Sequence, residues 1–486
     1  MEIIKSNKKN DKVCLDGHMY TLYYETSKTI KWRCSKKSSL KCPAVLSTDK
    51  QITEYEKIHR HNHLPNRKEV MVTKALMNMK EKSSTTTTNL VEIFANGVSK
   101  LDKSAKAQMP SEDTVKRTSR NHRSKGNPID PKSLEDCIIP PTWTINSDGH
   151  RFLLYDNGIV DENGKCNADE RIVIFATDEE LLNLAKSSTW MMDGNFALAP
   201  VIFQQLYVIR VKINDIFVTS AFCLLQRKTQ STYEVMFKAI ISECEKRDIF
   251  PDPSHIHVDF EKAIIQAIRN VFGEHSEVKG CYYHLTQSTH RKIQQLGLEN
   301  LYRENDEFML FCGQVDSLAF LPVSDIFEGM SHLRKIMPEE AHDLVEYFDQ
   351  TYVNGTYRRI GQGNKLKFRK VPPLFPPEIW NVHESTLHNI ERTNNQTEGF
   401  NNRFSKLVSH KHPSIWNLIK KMTLEVAADE TKLQQRLLGT VQPKKKLKKY
   451  EKMQFNLKKI CEEYRDKQRD LPNFLLAISH TTRFTL

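Results

Sequence analysis

The stretch WMMDGNFALAPVIFQQLYVIRVKINDIFVTSAFCLLQ, residues 190–226, decides the fold together with HIHVDFEKAIIQAIRNVF, residues 255–272. The first predicts a short strand and then two β-branched, aromatic runs that meet at Asn214-Asp215, a hairpin signal. Residues 232–247 carry apolar side chains at helical spacing, and residues 278–285 read as a last strand. The expected series is strand, hairpin, helix, strand, helix, strand.

Two carboxylates follow strands of this series. Asp193 comes at the end of the first short apolar run, and Asp259 comes at the end of HIHV. If these two strands are neighbours in one sheet, the carboxylates lie close together. With a third acid from a later helix they could hold a pair of divalent cations about 4 Å apart, which activate a water or a 3′-hydroxyl for phosphoryl chemistry.

Four pieces of sequence, in this order, resemble the catalytic domain of Mutator-like (MULE) DDE transposases. They are DGNF at Asp193, VDFEKA at Asp259, CYYHL at residues 281–285 and TNNQTEGFNNRF at Glu398. The resemblance spans about residues 135–425. It implies an α/β fold with an RNase H-like catalytic core, an α-helical insertion at about 286–385, and Asp193, Asp259 and Glu398 as catalytic ligands of Mg²⁺ or Mn²⁺.

Each of these motifs also has an ordinary structural explanation. Asp193-Gly194 is typical of a turn, and Asp259 could cap the helix that follows it. Cys281 and His284 form a C-x2-H pair that is either buried packing or a further candidate metal site. Four other acids nearby are interpreted as surface or capping residues, namely Asp178, Asp252, Glu261 and Glu391.

Composition favours a polyanionic partner. The 486 residues include 72 Lys+Arg against 60 Asp+Glu, a net charge of +12. We find neither a run long enough to cross a membrane nor a secretory h-region, so we expect an intracellular protein without a membrane partner. In that setting the ten cysteines stay reduced and serve as thiols or metal ligands rather than disulfides.

Residues 1–66 form a small unit that predicts a zinc site. Cys34, Cys42, His61 and His63 supply two thiolates and two imidazoles, a donor set that suits tetrahedral Zn²⁺. His59 is a rival ligand in the same H-R-H-N-H run. A metal would contribute much of the folding free energy of so small a unit, although a metal-free hairpin remains the alternative.

The order of Tyr20, Leu22, Trp32, the two cysteines and the closing HNH resembles a FLYWCH-type zinc finger. The opening Phe of that family has no counterpart, because no Phe precedes Phe94. We expect three short strands to hold the zinc.

Residues 67–132 are predicted to be a helical, basic region ending in a linker. A helix starting after Ser111 carries five cations that could contact DNA phosphates or instead form a solvated surface: Lys116, Arg117, Arg120, Arg123 and Lys125. Residues 133–430 are assigned to the transposase domain and 431–486 to a basic helical tail. The tail contains Lys444–Lys446, Lys448 and Lys449, which predict a nuclear import signal and hence a nuclear protein.

The functional hypothesis is a DNA transposase of the Mutator-like class or a host protein derived from one. Its finger and basic helix would bind double-stranded DNA at terminal repeats, its acids would cut and join strands there and at target DNA, and it could work as a homo-oligomer. The alternatives are a catalytically inactive DNA-binding regulator of transcription or chromatin and an RNase H-type nuclease that cuts RNA–DNA hybrids. The sequence contains all three acids, which permits catalysis.

Overall fold

The computed structural model describes residues 1–4, 11–86, 88–158, 170–361, 366–392, 395–439 and 448–483. It divides the chain into two compact units, Met1–Ile129 and Asp130–Leu486. In the part of the chain that it describes, every helix is too short or too polar to span a bilayer.

The first unit begins with a six-stranded antiparallel sheet whose strands pair in chain order. Its core contains Val13, Tyr20, Trp32 and Leu46. Residues 18–34 form a hairpin that turns at Ser27-Lys28, and the sheet has six strands instead of the expected three because the flanking segments also pair. The strands are β1 (Glu2–Ile4), β2 (Lys12–Leu15), β3 (His18–Glu25), β4 (Thr29–Cys34), β5 (Val45–Asp49) and β6 (Tyr55–Lys57), with a single helical turn α1 (Lys37–Leu40) after β4.

Four helices complete the first unit, as the sequence predicts for this region. Met79, Ile93 and Val115 form the apolar contact between three of them. Ser111 is the N-cap of the last helix, and its hydroxyl accepts a bond from the Thr114 amide. The helices are α2 (Arg67–Thr85), α3 (Leu90–Ser99), α4 (Lys103–Lys106) and α5 (Glu112–Arg123).

The second unit is built on a mixed sheet of seven strands, in the order β13-β12-β9-β10-β11-β8-β7. The β12 strand is parallel to β9 and β13, whereas the other pairs are antiparallel. Five of these strands, β9–β13, are the series expected from the sequence. The other two, β7 and β8, extend the β11 edge, and residues 151–158 and 170–177 also predict strands at one edge of this sheet. The strands are β7 (Leu153–Asp156), β8 (Ile172–Phe175), β9 (Thr189–Asn195), β10 (Gln205–Ile213), β11 (Ile216–Leu225), β12 (His255–Val258) and β13 (Glu277–Gly280).

Strand β10 shows why this sheet is buried on both faces. Tyr207, Ile209 and Val211 point into one apolar core, and the alternate residues Leu206 and Val208 point into another. The helices of this unit are α6 (Asp178–Lys186), α7 (Gln230–Glu245), α8 (Lys262–Phe272), α9 (Tyr282–Gln295), α10 (Glu299–Glu304), α11 (Asp306–Ser317), α12 (Ile326–Ile336), α13 (His342–Phe348), α14 (Pro377–Trp380), α15 (His383–Leu387), α16 (Asn395–Val408), α17 (Ile415–Leu437), α18 (Lys448–Arg465) and α19 (Leu471–Arg483).

The segment between β13 and α16 is mostly helical, as expected, but it also contains a hairpin of β14 (Thr356–Ile360) and β15 (Lys367–Val371). Helices α18 and α19 of the predicted tail pack into the core of this segment through six side chains, Leu457, Ile460, Cys461, Phe474, Leu475 and Ile478. In the predicted import signal, Lys444–Lys446 lie outside the described residues, whereas Lys448 and Lys449 begin α18.

Candidate active site and metal centre

The sheet topology brings the two aspartates to one edge. Asp193 lies near the end of β9, and Asp259 directly follows β12, the parallel neighbour of β9. The carboxyl ends of neighbouring parallel strands meet at the same edge of a sheet. Asp259 does not cap the next helix, because the N-cap of α8 is Glu261.

His284 joins Asp259 to Glu398. Its Nδ1 lies 2.7 Å from Asp259 Oδ1, and its Nε2 lies 3.6 Å from Glu398 Oε1. Glu398 comes from the first turn of α16, more than 100 residues further along the chain. The structure therefore places Glu398 near Asp259, with the His284 ring between the two carboxylates.

The pKa of His284 reflects this setting. Burial lowers the pKa, but the carboxylate of Asp259 and the neighbouring Cys281 outweigh it and raise the value to about 11. Cys281 is buried at the N-cap of α9, and His284 lies in the first turn of that helix. The strand predicted to contain this pair ends earlier, at Gly280, because the helix starts there.

Asp193 is held by a residue that the sequence analysis did not assign to the site. The Asn401 side-chain amide donates a short hydrogen bond to Asp193 Oδ2. Burial, and then the charge of Asp259, raise the pKa of Asp193 to about 7. Asn401 is three residues after Glu398, so helical spacing predicts that both side chains share one face of α16.

A small cavity of about 50 Å³ lies beside the two aspartates, between Gly194, Gln205, Tyr207 and Glu261. A Cβ on Gly194 would lie 2.5 Å from Gln205 Oε1, so any larger residue there requires the Gln205 side chain to move. The Tyr233 hydroxyl donates to Glu261 at 3.1 Å, and burial raises the pKa of this carboxyl group. Glu261 occupies the N-cap position of α8, but its side chain faces the site and makes no capping bond.

The other three rival acids pair with basic groups. Asp252 contacts His275, Glu391 contacts Lys212, and Asp178 contacts both Arg151 and Arg247. Their interpretation as ordinary surface or structural residues agrees with these contacts.

The carboxylates of Asp193, Asp259 and Glu398 offer oxygen ligands, which suit a hard divalent cation. Glu398 Oε1 is buried and accepts no hydrogen bond within the described residues, and carboxylate oxygens are the ligands that Mg²⁺ prefers. Their oxygen atoms do not form a compact group, since His284 lies between Asp259 and Glu398. Over the described residues, the finger ligands are the one group of three or more donors that all lie within 4.8 Å of one another.

That group is Cys34, Cys42, His61 and His63, the four predicted ligands. The Cys34 sulfur lies 3.3 Å from His63 Nε2, and the Cys42 sulfur lies 3.4 Å from His61 Nδ1. Two soft sulfurs and two imidazole nitrogens at such distances can surround one Zn²⁺ in a tetrahedron. The donor set therefore supports a zinc finger.

Two neighbours prepare His61 for this role. The Tyr20 hydroxyl lies 2.7 Å from His61 Nε2, so that the other ring nitrogen, Nδ1, faces the cysteine sulfurs. The ring of His18 stacks on the ring of His61, with the ring centroids 3.5 Å apart. Burial, and then the nearby His18 and His63, lower the pKa of His61 to about 4, so its imidazole is neutral as a ligand must be. The rival His59 is exposed and lies outside the donor group.

The five cations predicted to bind DNA do not form one free surface. Lys116 pairs with Glu112 and Asp113, while the Arg123 guanidinium donates to the Ser83 and Thr88 carbonyl oxygens and ties α5 to α2. The exposed members are Arg117, Arg120 and Lys125.

Comparisons with known protein families agree with these two centres. The class defined by the geometry is a β-rich zinc finger joined to an α/β unit with clustered acids. Residues 3–63 match the FLYWCH zinc finger domain, and residues 189–288 match the MULE transposase domain. A search of the curated proteins found no match. Both resemblances inferred from the sequence are thus confirmed, and the chain is transposase-like, with domains that suggest DNA binding.

Proposed function

We propose that this chain is a DNA transposase of the Mutator-like class, or a host protein derived from one, that still cuts and joins DNA. The observation that carries the proposal is that Asp193 and Asp259 line one cavity while His284 bridges Asp259 and Glu398. The five strands β13-β12-β9-β10-β11, with β12 parallel to β9, support an RNase H-like core beneath these acids.

Asp193, Asp259 and Glu398 would hold two Mg²⁺ or Mn²⁺ ions, which would activate the attacking oxygen and stabilise the leaving one. Asn401 orients Asp193, and His284 orients Asp259 between the helix α9 and the sheet. The proposed reaction has two parts. Water attacks a phosphodiester at the end of the element and releases a 3′-hydroxyl, and that hydroxyl then attacks a phosphodiester of the target DNA and displaces its 3′-oxygen.

DNA recognition belongs to the finger and to the exposed cations of α5, Arg117, Arg120 and Lys125. The proposal also keeps the four-part division of the chain at residues 66, 132 and 430, a nuclear location and assembly into a homo-oligomer. Nuclear import of a tagged chain, with and without Lys444–Lys446, tests the location.

The deciding experiment changes Asp259→Asn in the full chain. Asn removes a carboxylate ligand and no phosphate contact, so we expect unchanged binding to DNA that carries candidate terminal repeats. Strand cleavage and joining with Mg²⁺ or Mn²⁺ should fall by several orders of magnitude. Asp252→Asn is the matched control, because Asp252 is exposed and pairs only with His275 among the described contacts, and it should retain both activities.

If the unsubstituted chain binds this DNA and never cleaves it, the protein is a DNA-binding regulator instead. Cleavage that survives in Asp259→Asn would remove the aspartate from the mechanism. Cutting of RNA–DNA hybrids in preference to duplex DNA would favour the nuclease alternative.

A further inference from the structure

The β14–β15 hairpin is a two-stranded ribbon that stands away from the core. Nine of its ten strand residues are exposed, and Val371 is half-buried. The turn that joins the strands includes residues 362–365, outside the described part of the chain. An isolated two-stranded sheet is marginally stable in water, so its position depends on what holds its base.

The base of the ribbon is anchored firmly. Asp349 accepts bonds from the side chain of Asn354 and, through its carbonyl oxygen, from the Gly355 amide. Gly355 has φ of 75°, and a Cβ there would lie 2.1 Å from the Val371 carbonyl oxygen. The backbones of the two segments therefore approach each other so closely that only glycine is accommodated at position 355. After the second strand, Phe375 stacks on Tyr352, which precedes the first strand.

This base rests on the residue that follows the catalytic candidate Asp259. The ring of Phe260 contacts both Tyr352 and Phe375, with ring centroids 5.9 and 5.1 Å apart. The Tyr352 hydroxyl also donates to Ser288 on α9, the helix that carries His284. The ribbon is therefore rooted in the packing that positions the acid site.

The ribbon carries five cations on its strands and no acid between Gly355 and Pro377. Cross-strand pairing puts Arg358 opposite Arg369, and Ile360 opposite Lys367, on one face. The other face has Tyr357 opposite Lys370 and Arg359 opposite Phe368. The five cations are Arg358, Arg359, Lys367, Arg369 and Lys370. Among the described residues, no carboxylate lies within 4.0 Å of any of them.

Protection of a sheet edge would explain isolated lysines and arginines, but it does not explain this arrangement. Like charges directly opposite each other, as in Arg358 and Arg369, destabilise a hairpin. Tyr357 and Phe368 are 66% and 61% exposed, and the Arg359 guanidinium lies 5.9 Å over the Phe368 ring. A polyanion placed along the ribbon would offset the repulsion between the cations and cover the rings.

We propose that the β14–β15 ribbon is a duplex-DNA contact that grips the substrate beside the acid site. Five residues of strand span about 17 Å, and the major groove of B-DNA admits a two-stranded ribbon. The three cations of one face, Arg358, Lys367 and Arg369, contact phosphates, and the ribbon holds the DNA next to the segment that presents Asp259. This inference rests on the proposed function, since it adds a contact to the same DNA-binding reaction.

The test measures binding of the full chain to a random-sequence duplex DNA over a range of salt concentrations. The ribbon variant is Arg358→Gln/Lys367→Gln/Arg369→Gln. Loss of three phosphate contacts should reduce the slope of log affinity against log salt by about 2–3 and weaken binding roughly tenfold or more. The matched control is Lys238→Gln/Lys335→Gln/Lys452→Gln, which removes the same charge from exposed sites elsewhere in this unit and should leave both quantities unchanged.

Two further measurements separate charge from folding. Arg358→Lys/Arg369→Lys keeps the charge and should keep the salt dependence. In the unsubstituted chain, DNA should slow hydrogen exchange of the ribbon amides, a readout that needs no variant.

The possible results distinguish the ribbon from the proposed function. If the ribbon variant binds like the control and exchange in the ribbon is unaffected by DNA, the inference is wrong while the transposase proposal stands. If the chain binds no duplex, both fail. If the variant binds normally but loses a protein partner in pull-down, the ribbon is a protein-docking surface and the inference also fails.

Discussion

Gly280 shows how much a single hydrogen atom controls at the candidate active site. A Cβ at this position would lie 2.6 and 2.7 Å from ring atoms of Phe260. That ring packs edge-to-face against Tyr352 and Phe375, so moving it aside disturbs both contacts. The position of Asp259 therefore depends on the absence of a side chain on the neighbouring strand.

We expect Gly280→Ala to destabilise the second unit by roughly 1–3 kcal/mol, the usual cost of overpacking, and to lower strand cleavage more than DNA binding. Denaturant unfolding and the cleavage assay measure the two effects. Gly399→Ala is the control, because a Cβ there meets no atom within 4 Å and alanine favours a helix. Equal behaviour of the two variants would contradict this account of Gly280.

Asn401 and His284 mark the limit of residue-level prediction from sequence. The three acids could be proposed because each lies in a motif of distinctive composition. Asn401 lies in such a motif too, but its partner Asp193 is 208 residues away, and only the folded sheet shows that they meet. The three-residue spacing from Glu398 predicts which face of the helix carries the Asn401 side chain. It does not predict that this side chain contacts Asp193.

At the scale of elements, the zinc finger is the part that the sequence predicts best. Its four donors are close in sequence and chemically distinctive, and the structure brings them together within 4.8 Å. The ribbon β14–β15 is the part that it predicts worst. Its strands contain cations where an amphipathic strand has apolar residues, so no period-2 apolar pattern was visible.

The finger gives a direct prediction for metal content. The full chain should contain one zinc, and Cys42→Ser should lose it and unfold the six-stranded sheet, because metal binding contributes to folding in a unit with so small a core. Metal analysis of the purified chain measures the zinc.

His59→Ala should retain the zinc, since the His59 side chain is exposed and outside the donor group. A metal-free chain whose sheet is nevertheless intact would contradict the assignment. If His59→Ala loses the zinc and His61→Ala retains it, His59 is the ligand instead of His61.

At the scale of the whole molecule, the predicted tail turns out to be part of the core. Arg483 of α19 pairs with Asp316 of α11 by a short contact, and the Asp316 carboxyl group is fully buried, which raises its pKa. The sequence predicted helices in the tail but not their destination, because apolar spacing identifies a buried face and not what covers it.

Arg483→Met should destabilise the second unit by about 3–5 kcal/mol, because it leaves a carboxylate buried without its partner. Adding Asp316→Asn should restore much of that loss, since the amide carries no charge to bury. Denaturant unfolding of the full chain provides the comparison. A double variant no more stable than Arg483→Met alone would show that the pair acts through packing rather than charge.

The pairing of α11 with α19 also has a consequence for synthesis of the protein. Asp316 and Arg483 are 167 residues apart, so a ribosome working at about 5–20 residues per second needs roughly 10–30 s to supply the second after the first. During that interval α11 lacks the helix α19, whose Ser479 and Arg483 contact Leu310, Gly313 and Asp316 in the finished fold. The zinc finger can fold as soon as it leaves the ribosome, whereas the nascent α/β unit must wait, and for that period it is a natural client for chaperones.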